Sequence, residues 1–211
     1  MEKRIKKIIE ILEKEYPHAK SALEYKSPFQ MLVATILSAQ TTDERVNKVT
    51  PGLFMKFKSM ENFADAPLDE IREEIKSVNF YRNKANNIKK LSQMIIKDFN
   101  GKFPDSMEKL IMLPGVARKT ANVVLGEVFG KAEGFVVDTH VKRLACRLDL
   151  TENTTPEKIE LDIMKLVPRE KWISLSMELI LHGRKICKAK KPMCQDCRLK
   201  ILCPSACTKK Q

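Results

Sequence analysis

Residues 113–138 read LPGVARKTANVVLGEVFGKAEGFVVD. Pro114 and Gly115 separate two helix-like segments: residues 106–112, with Asp105 or Ser106 as cap, and residues 117–129, ending at Gly130. Proline cannot continue a helix, and glycine takes backbone angles closed to other residues. The second helix therefore starts with backbone N–H groups that lack intrahelical acceptors around Val116 to Lys119, and such a helix start beside a glycine suits a phosphate. A Pro-Gly pair alone is more often just an ordinary helix-to-helix turn.

Lys119 shifts that balance. A lysine ordinarily carries a pKa of about 10.4, so as a nucleophile it needs desolvation, a positive field or a base to take its proton. The first helical turn supplies part of that field and Arg118 adds a full charge. Asp138 is the candidate base. It follows the apolar run Phe135-Val136-Val137 and precedes a helical segment over 139–148, so it also fits a plain helix cap. An ionised carboxylate favours the charged amine, so the benefit of Asp138 would come from accepting a proton or from stabilising positive charge on a substrate.

The remaining chain reads as helices. Ile5, Ile8, Ile9 and Leu12 recur at helical spacing; Ser27-Pro28-Phe29-Gln30 spells a helix start, and the apolar run through Leu37 marks a buried helix. Thr41 or Thr42 caps the next segment. Further helices are expected over 68–78, 82–99, 155–167 and from Trp172 past His182, with Asn100-Gly101 closing the second of these. Only Phe135 to Val137 alternates with period two, so the fold class is all-α.

Lys and Arg number 39 against 27 Asp and Glu, a net charge of +12. That balance favours a polyanionic partner. No apolar run approaches the roughly 20 residues of a membrane span, and residues 1–16 lack the apolar core of a signal peptide, so an intracellular protein is expected. Cys187, Cys194, Cys197 and Cys203 are spaced C-x6-C-x2-C-x5-C, a set that suits tetrahedral zinc or an iron–sulfur cluster. Cys146 reads as a buried thiol acting as a small apolar residue, and Cys207 as a spare. Lys188, Lys190 and Lys191 lie between the first two ligands, and a metal would fix this basic loop against phosphates.

The segments LPGVARKTA at 113–121 and VDTHVKR at 137–143, with ILSAQTTDERVNK at 36–48 and LILHGRKIC at 179–187, resemble the endonuclease III family of DNA glycosylases. The resemblance covers nearly the whole chain. It implies a two-lobed helix-hairpin-helix fold: a six-helix lobe over about 22–131, and a cluster lobe formed from 1–21 with 132–211, DNA lying in the cleft between. It further implies a bifunctional enzyme that removes oxidised pyrimidines and nicks the strand, with Lys119 as nucleophile and Asp138 as its carboxylate partner. The four cysteines would hold a [4Fe–4S] cluster. Gly115, Val116 and Ala117 would meet the DNA backbone, although Ala117 stands where the family hairpin often has a second glycine.

Chemistry at a sugar inside a duplex requires the nucleotide to leave the stack and something to fill the gap. By resemblance, Gln40 fills the vacated space and Phe80 takes the wedge position, where the family often has leucine preceded by glycine; here Asn79 precedes it. The implied partner is double-stranded DNA with damaged bases or abasic sites, met by a monomer with no membrane attachment, in the cytoplasm or nucleoid if the cell is prokaryotic. The alternatives are a mismatch glycosylase acting on uracil or thymine opposite guanine, a non-catalytic helix-hairpin-helix DNA binder, and a zinc-stapled protein-interaction domain.

Overall fold

The computed structural model describes residues 2–206. Among them the chain forms eleven α-helices, two short 3-10 turns and no strand, as an all-α protein. Phe135, Val136 and Val137 are all buried, yet they pair with no strand. The Val136 N–H donates instead to Ser176 Oγ at 3.1 Å. The chain divides into two compact units, Ala22–Lys131 and Met1–Ser21 with Ala132–Gln211.

In the unit Ala22–Lys131, helix α2 (Pro28–Ser38) follows the sequence signal closely: Ser27 Oγ accepts the Gln30 N–H at 3.2 Å, and Gln30 Oε1 accepts the Lys26 N–H at 2.8 Å. Seven of its residues are buried, so it has no solvent face and needs neighbours on several sides. It packs on α3 (Asp43–Lys56), α6 (Tyr81–Asp98) and α8 (Arg118–Phe129). Thr42 is the residue that caps α3, accepting the Arg45 N–H at 3.3 Å.

Helix α4 (Met60–Asp65) was not legible from hydrophobic spacing, because six residues span fewer than two turns. A cap signal was present all the same. Ser59 Oγ accepts the Asn62 N–H at 3.4 Å and Asn62 Oδ1 accepts the Lys58 N–H at 3.1 Å, close to a capping box with asparagine in the acidic position. The helix delivers Phe63 into the core, where its ring lies 5.0 Å from that of Phe57 and 5.4 Å from that of Phe29. Burying such a side chain contributes about 1.5–3 kcal/mol. Helices α5 (Leu68–Glu74) and α7 (Met107–Leu110) complete the unit.

The other unit joins α1 (Glu2–Glu15) to α9 (Thr139–Arg147), α10 (Pro156–Leu166) and α11 (Trp172–Lys185). The stripe Ile5, Ile8, Ile9 and Leu12 is buried, and α1 packs on α11, which packs on α9. Arg4 ties the N-terminal helix down through the Leu148 and Asp149 carbonyls at 2.8 and 3.0 Å. Glu178 on α11 is a buried carboxyl with Oε2 unbonded. Burial, and then the charge of Glu13, push its pKa up to about 7, against an opposing pull from Lys171.

Candidate active site

The hairpin turn joins α7 to α8, with Ser106 as the cap of α7 and Ala117 as the residue before α8. Gly115 sits at φ +80, and a Cβ there would meet Asn87 Nδ2 at 2.6 Å. Glycine is therefore required twice, by conformation and by the packing of α6 against the turn. The Val116 N–H donates to Leu113 O at 3.1 Å and its side chain is buried, so Val116 holds the turn. Among the described residues, the Gly115 and Ala117 amides have no acceptor. Ala117 also has no side-chain oxygen to cap the helix, which leaves the first turn of α8 open to an anion. Lys119 lies in that first turn and is exposed.

Asp138 caps α9: its Oδ1 accepts the N–H groups of His140 and Val141, both at 2.8 Å. The plain helix cap is thus real, and it occupies one carboxylate oxygen only. Oδ2 accepts from no described residue. The buried Phe135-Val136-Val137 run fixes the chain entering the cap.

Gln40 and Phe80 lie on two turns that the fold bonds together. Asn79 Nδ2 donates to Gln40 O at 2.5 Å and the Asn79 N–H donates to Thr41 Oγ1 at 3.3 Å. Both Gln40 and Phe80 adopt positive φ, 55 and 58, which costs a non-glycine residue about 1–3 kcal/mol and persists only where neighbours enforce it. Phe80 is 61% exposed, so the ring is not spent on packing. Behind the turns, Lys84 is buried and its Nζ donates to Leu37 O at 2.8 Å, Ala39 O at 2.6 Å and Thr41 Oγ1 at 3.4 Å. Three acceptors match the three N–H bonds of an ammonium, while burial pulls its pKa down to about 8. Lys84, Thr41 and Asn79 were missed as site residues. The signal for Lys84 was its place beside Ala85, on the stripe that continues through Ile88 and Leu91.

Cys187, Cys194, Cys197 and Cys203 line one cavity of about 230 Å³, together with Arg147 and Met193. Burial pushes the Cys197 thiol up to about 11, offset by a Leu199 backbone contact and reinforced by Cys187 and Cys203; burial also raises Cys203. Gathered, desolvated thiols of this kind are relieved when they ligate a cationic centre as thiolates. Four cysteines lining one cavity form a thiolate donor set that a metal centre can take.

Around these sulfurs, Arg147 Nη1 lies 3.2 Å from Cys187 Sγ and His182 Nε2 lies 3.4 Å from Cys197 Sγ. Arg147 also donates to the Lys188 and Ala189 carbonyls, at 2.8 and 3.1 Å, and Arg143 to the Cys187 carbonyl. The loop carrying Lys188, Lys190 and Lys191 is thereby held at its backbone while its three amines stay exposed. Arg143 and Arg147 are four apart on α9, a spacing that places them on one face; His182 was read only as part of an apolar helix. Cys146 is exposed, contrary to expectation, because the buried face of α9 runs through Val141, Leu144 and Ala145 and position 146 turns past it. Cys207 lies outside the described residues.

An endonuclease III from Synechocystis sp. is 53% identical over 96% of this chain and 93% of its own, and one from Bacillus subtilis is 46% identical over 89% and 86%. A solved structure of a trapped endonuclease III–DNA covalent intermediate superposes with TM-score 0.93 at 40% identity, covering 98% of this chain and 97% of that one. A thermostable thymine-DNA glycosylase superposes with TM-score 0.87 at 25% identity, covering 97% of each. Residues 33–169 match the HhH-GPD superfamily of base excision DNA repair proteins, and the chain belongs to the endonuclease III family within it.

Proposed function

We propose that this protein is a bifunctional glycosylase and abasic-site lyase that removes oxidised pyrimidines from duplex DNA and then nicks the strand. The observation that supports this most is the open first turn of α8: an exposed Lys119 stands beside the free Gly115 and Ala117 amides. Those amides hold a backbone phosphate, and Val116 keeps the turn in shape. Gln40 fills the space that a flipped nucleotide vacates, and Phe80 wedges the neighbouring step. Lys188, Lys190 and Lys191 neutralise phosphates without reading bases.

Lys119 Nζ attacks C1′ of the extruded nucleotide, forming a C–N bond as the glycosidic bond breaks and the base leaves with its electron pair. Asp138 accepts the proton that the amine sheds and offsets the positive charge that develops on the sugar. Opening of the sugar ring gives an imine between Lys119 and C1′. Loss of a C2′ proton then expels the 3′ phosphate, and water releases the enzyme. Cys187, Cys194, Cys197 and Cys203 would hold a [4Fe–4S] cluster, which would staple the basic loop in place. The protein acts as a monomer inside the cell, on nucleoid DNA if that cell is prokaryotic.

The test is a panel of duplexes, each with one lesion, incubated with the purified protein and scored for strand nicking, with borohydride added during turnover. Oxidised pyrimidines should be nicked first, borohydride should trap a protein–DNA adduct, and Lys119→Gln should abolish trapping while still binding abasic DNA. Trapping that survives Lys119→Gln assigns the nucleophile to another residue.

A further inference from the structure

We propose that Gln40 and Phe80 enter the opened base stack as one mechanical unit, coupled by Asn79, Thr41 and Lys84. This rests on the roles of Gln40 and Phe80 given above. What it adds is a set of positioning residues and a cooperative mode of insertion.

The two turns are separated by 39 positions in the chain and joined by Asn79, whose side-chain amide holds Gln40 O and whose N–H holds Thr41 Oγ1. Lys84 completes the link from behind. Its main-chain N–H bonds Phe80 O at 3.1 Å, while its side chain bonds Ala39 O and Thr41 Oγ1 on either side of Gln40. One residue therefore grips both insertion turns. Leu37 O and Ala39 O belong to the end of α2, where carbonyls lack intrahelical donors and a cation is favoured. Lys84 is 6% exposed, so water does not readily replace its amine.

Positive φ at both tips is the conformational trace of this arrangement. Neither glutamine nor phenylalanine settles there alone: the Asn79 amide holds Gln40 from the other turn, and Phe80 follows Asn79, whose own N–H is anchored on Thr41 Oγ1. A wedge assembled during folding has already met its ordering cost before DNA arrives. Gln40 and Phe80 then insert together or not at all. Asn79 is the distinctive member, because a glycine at this position would lack the amide that reaches Gln40.

The experiment is a double-mutant cycle on the full chain. Single-turnover excision from a duplex carrying one thymine glycol is measured for the parent, Gln40→Ala, Phe80→Ala and the double variant, and again in an Asn79→Ala background. Each rate is divided by the same variant's nicking rate on a single-stranded abasic oligomer, which needs no stack to be opened, so that losses of fold or nucleophile cancel. In the parent background the double variant should lose no more than about the larger single loss, departing from multiplication by about five-fold. In Asn79→Ala the two losses should multiply, with Thr41→Val giving the same result through the other bond. Multiplying losses in both backgrounds would overturn the coupling while leaving both residues as inserters. If neither single variant lowers the normalised duplex rate, the insertion roles fall, and the coupling with them.

Discussion

Asp138 caps a helix and, in the proposed reaction, also takes a proton, and one pair of substitutions separates the two. Its Oδ1 accepts two N–H groups at 2.8 Å at the start of α9, and the carboxylate charge sits at the positive end of that helix. Asparagine keeps an Oδ1 of the same reach and caps about as well as aspartate. It forfeits only the charge–dipole attraction, about 0.3–1 kcal/mol. Alanine removes both cap bonds, about 1–2 kcal/mol, or roughly 2–8 °C in Tm for a chain of this size. Stability should therefore rank parent, Asn, then Ala. Base removal should not follow that order: with no carboxylate to accept the amine's proton, Asp138→Asn should fall by about 10²–10⁴, as far as Asp138→Ala. The assays are urea unfolding and single-turnover excision on the same preparations. A stable Asp138→Asn variant with near-parental excision would reduce the residue to a helix cap, and activity losses that track stability across the two variants would do the same.

Anaerobically purified protein should contain about four irons per chain, and Cys194→Ser should lose iron and solubility together; stoichiometric zinc without iron would contradict the cluster. Replacing Lys188, Lys190 and Lys191 with glutamine should weaken binding to all duplexes alike and flatten the log K against log salt slope by about 0.9 for each phosphate no longer neutralised, so an unchanged slope would make the loop a bystander. Gly115→Ala must accept φ +80 and a Cβ 2.6 Å from Asn87 Nδ2, and should cost about 1–3 kcal/mol with weaker binding to abasic duplex; Asn87→Ala should relieve the clash and restore only part of that loss. Glu178 has a folded pKa of about 7 against an ordinary 4.5, so folding favours its protonated form: that contribution is full below pH 4.5 and is lost as pH rises through about 7. Glu178→Gln should flatten the fall in urea stability over this window and stabilise the protein above it by about 1–3 kcal/mol, whereas a parallel pH profile would mean that Glu178 stays ionised.

The helices were legible where amphipathic spacing ran for two turns or more, as in α1, α6 and α11, and where a cap was spelled in full, as at Ser27-Pro28-Phe29-Gln30. Short α4 escaped because its information lies in a cap and a single phenylalanine, not in a period. Lys119 stood out as a cation at a helix start and the four cysteines by their spacing, whereas Asp138 reads locally as an ordinary cap and gained its role only from the resemblance. Lys84, Thr41 and Asn79 did not. A lysine on a buried stripe looks like a snorkelling surface residue until the carbonyls that receive it are known, and those belong to a helix end more than forty positions earlier. Periodicity reports contacts along one helix and is silent about which carbonyl another helix will leave open.

The residues proposed to act at the flipped nucleotide sit at helix ends. Gly115 and Lys119 are at the start of α8, Asp138 at the start of α9, Gln40 just past the end of α2, and Phe80 at the start of α6. Helix ends are where backbone groups remain unpaired and where left-handed angles are tolerated. They thus supply both the dipoles that chemistry on an anion needs and the abrupt turns that push a side chain out of the surface. The cost is that each end must be stabilised by something other than its own helix. In this chain that stabiliser is a side chain from elsewhere: Asn87 against Gly115, Lys84 behind Gln40, and Asn79 between the two tips. Substitutions at these supports should therefore alter function at positions that never touch the substrate, and the size of the effect should follow how many bonds each support makes at the end it holds.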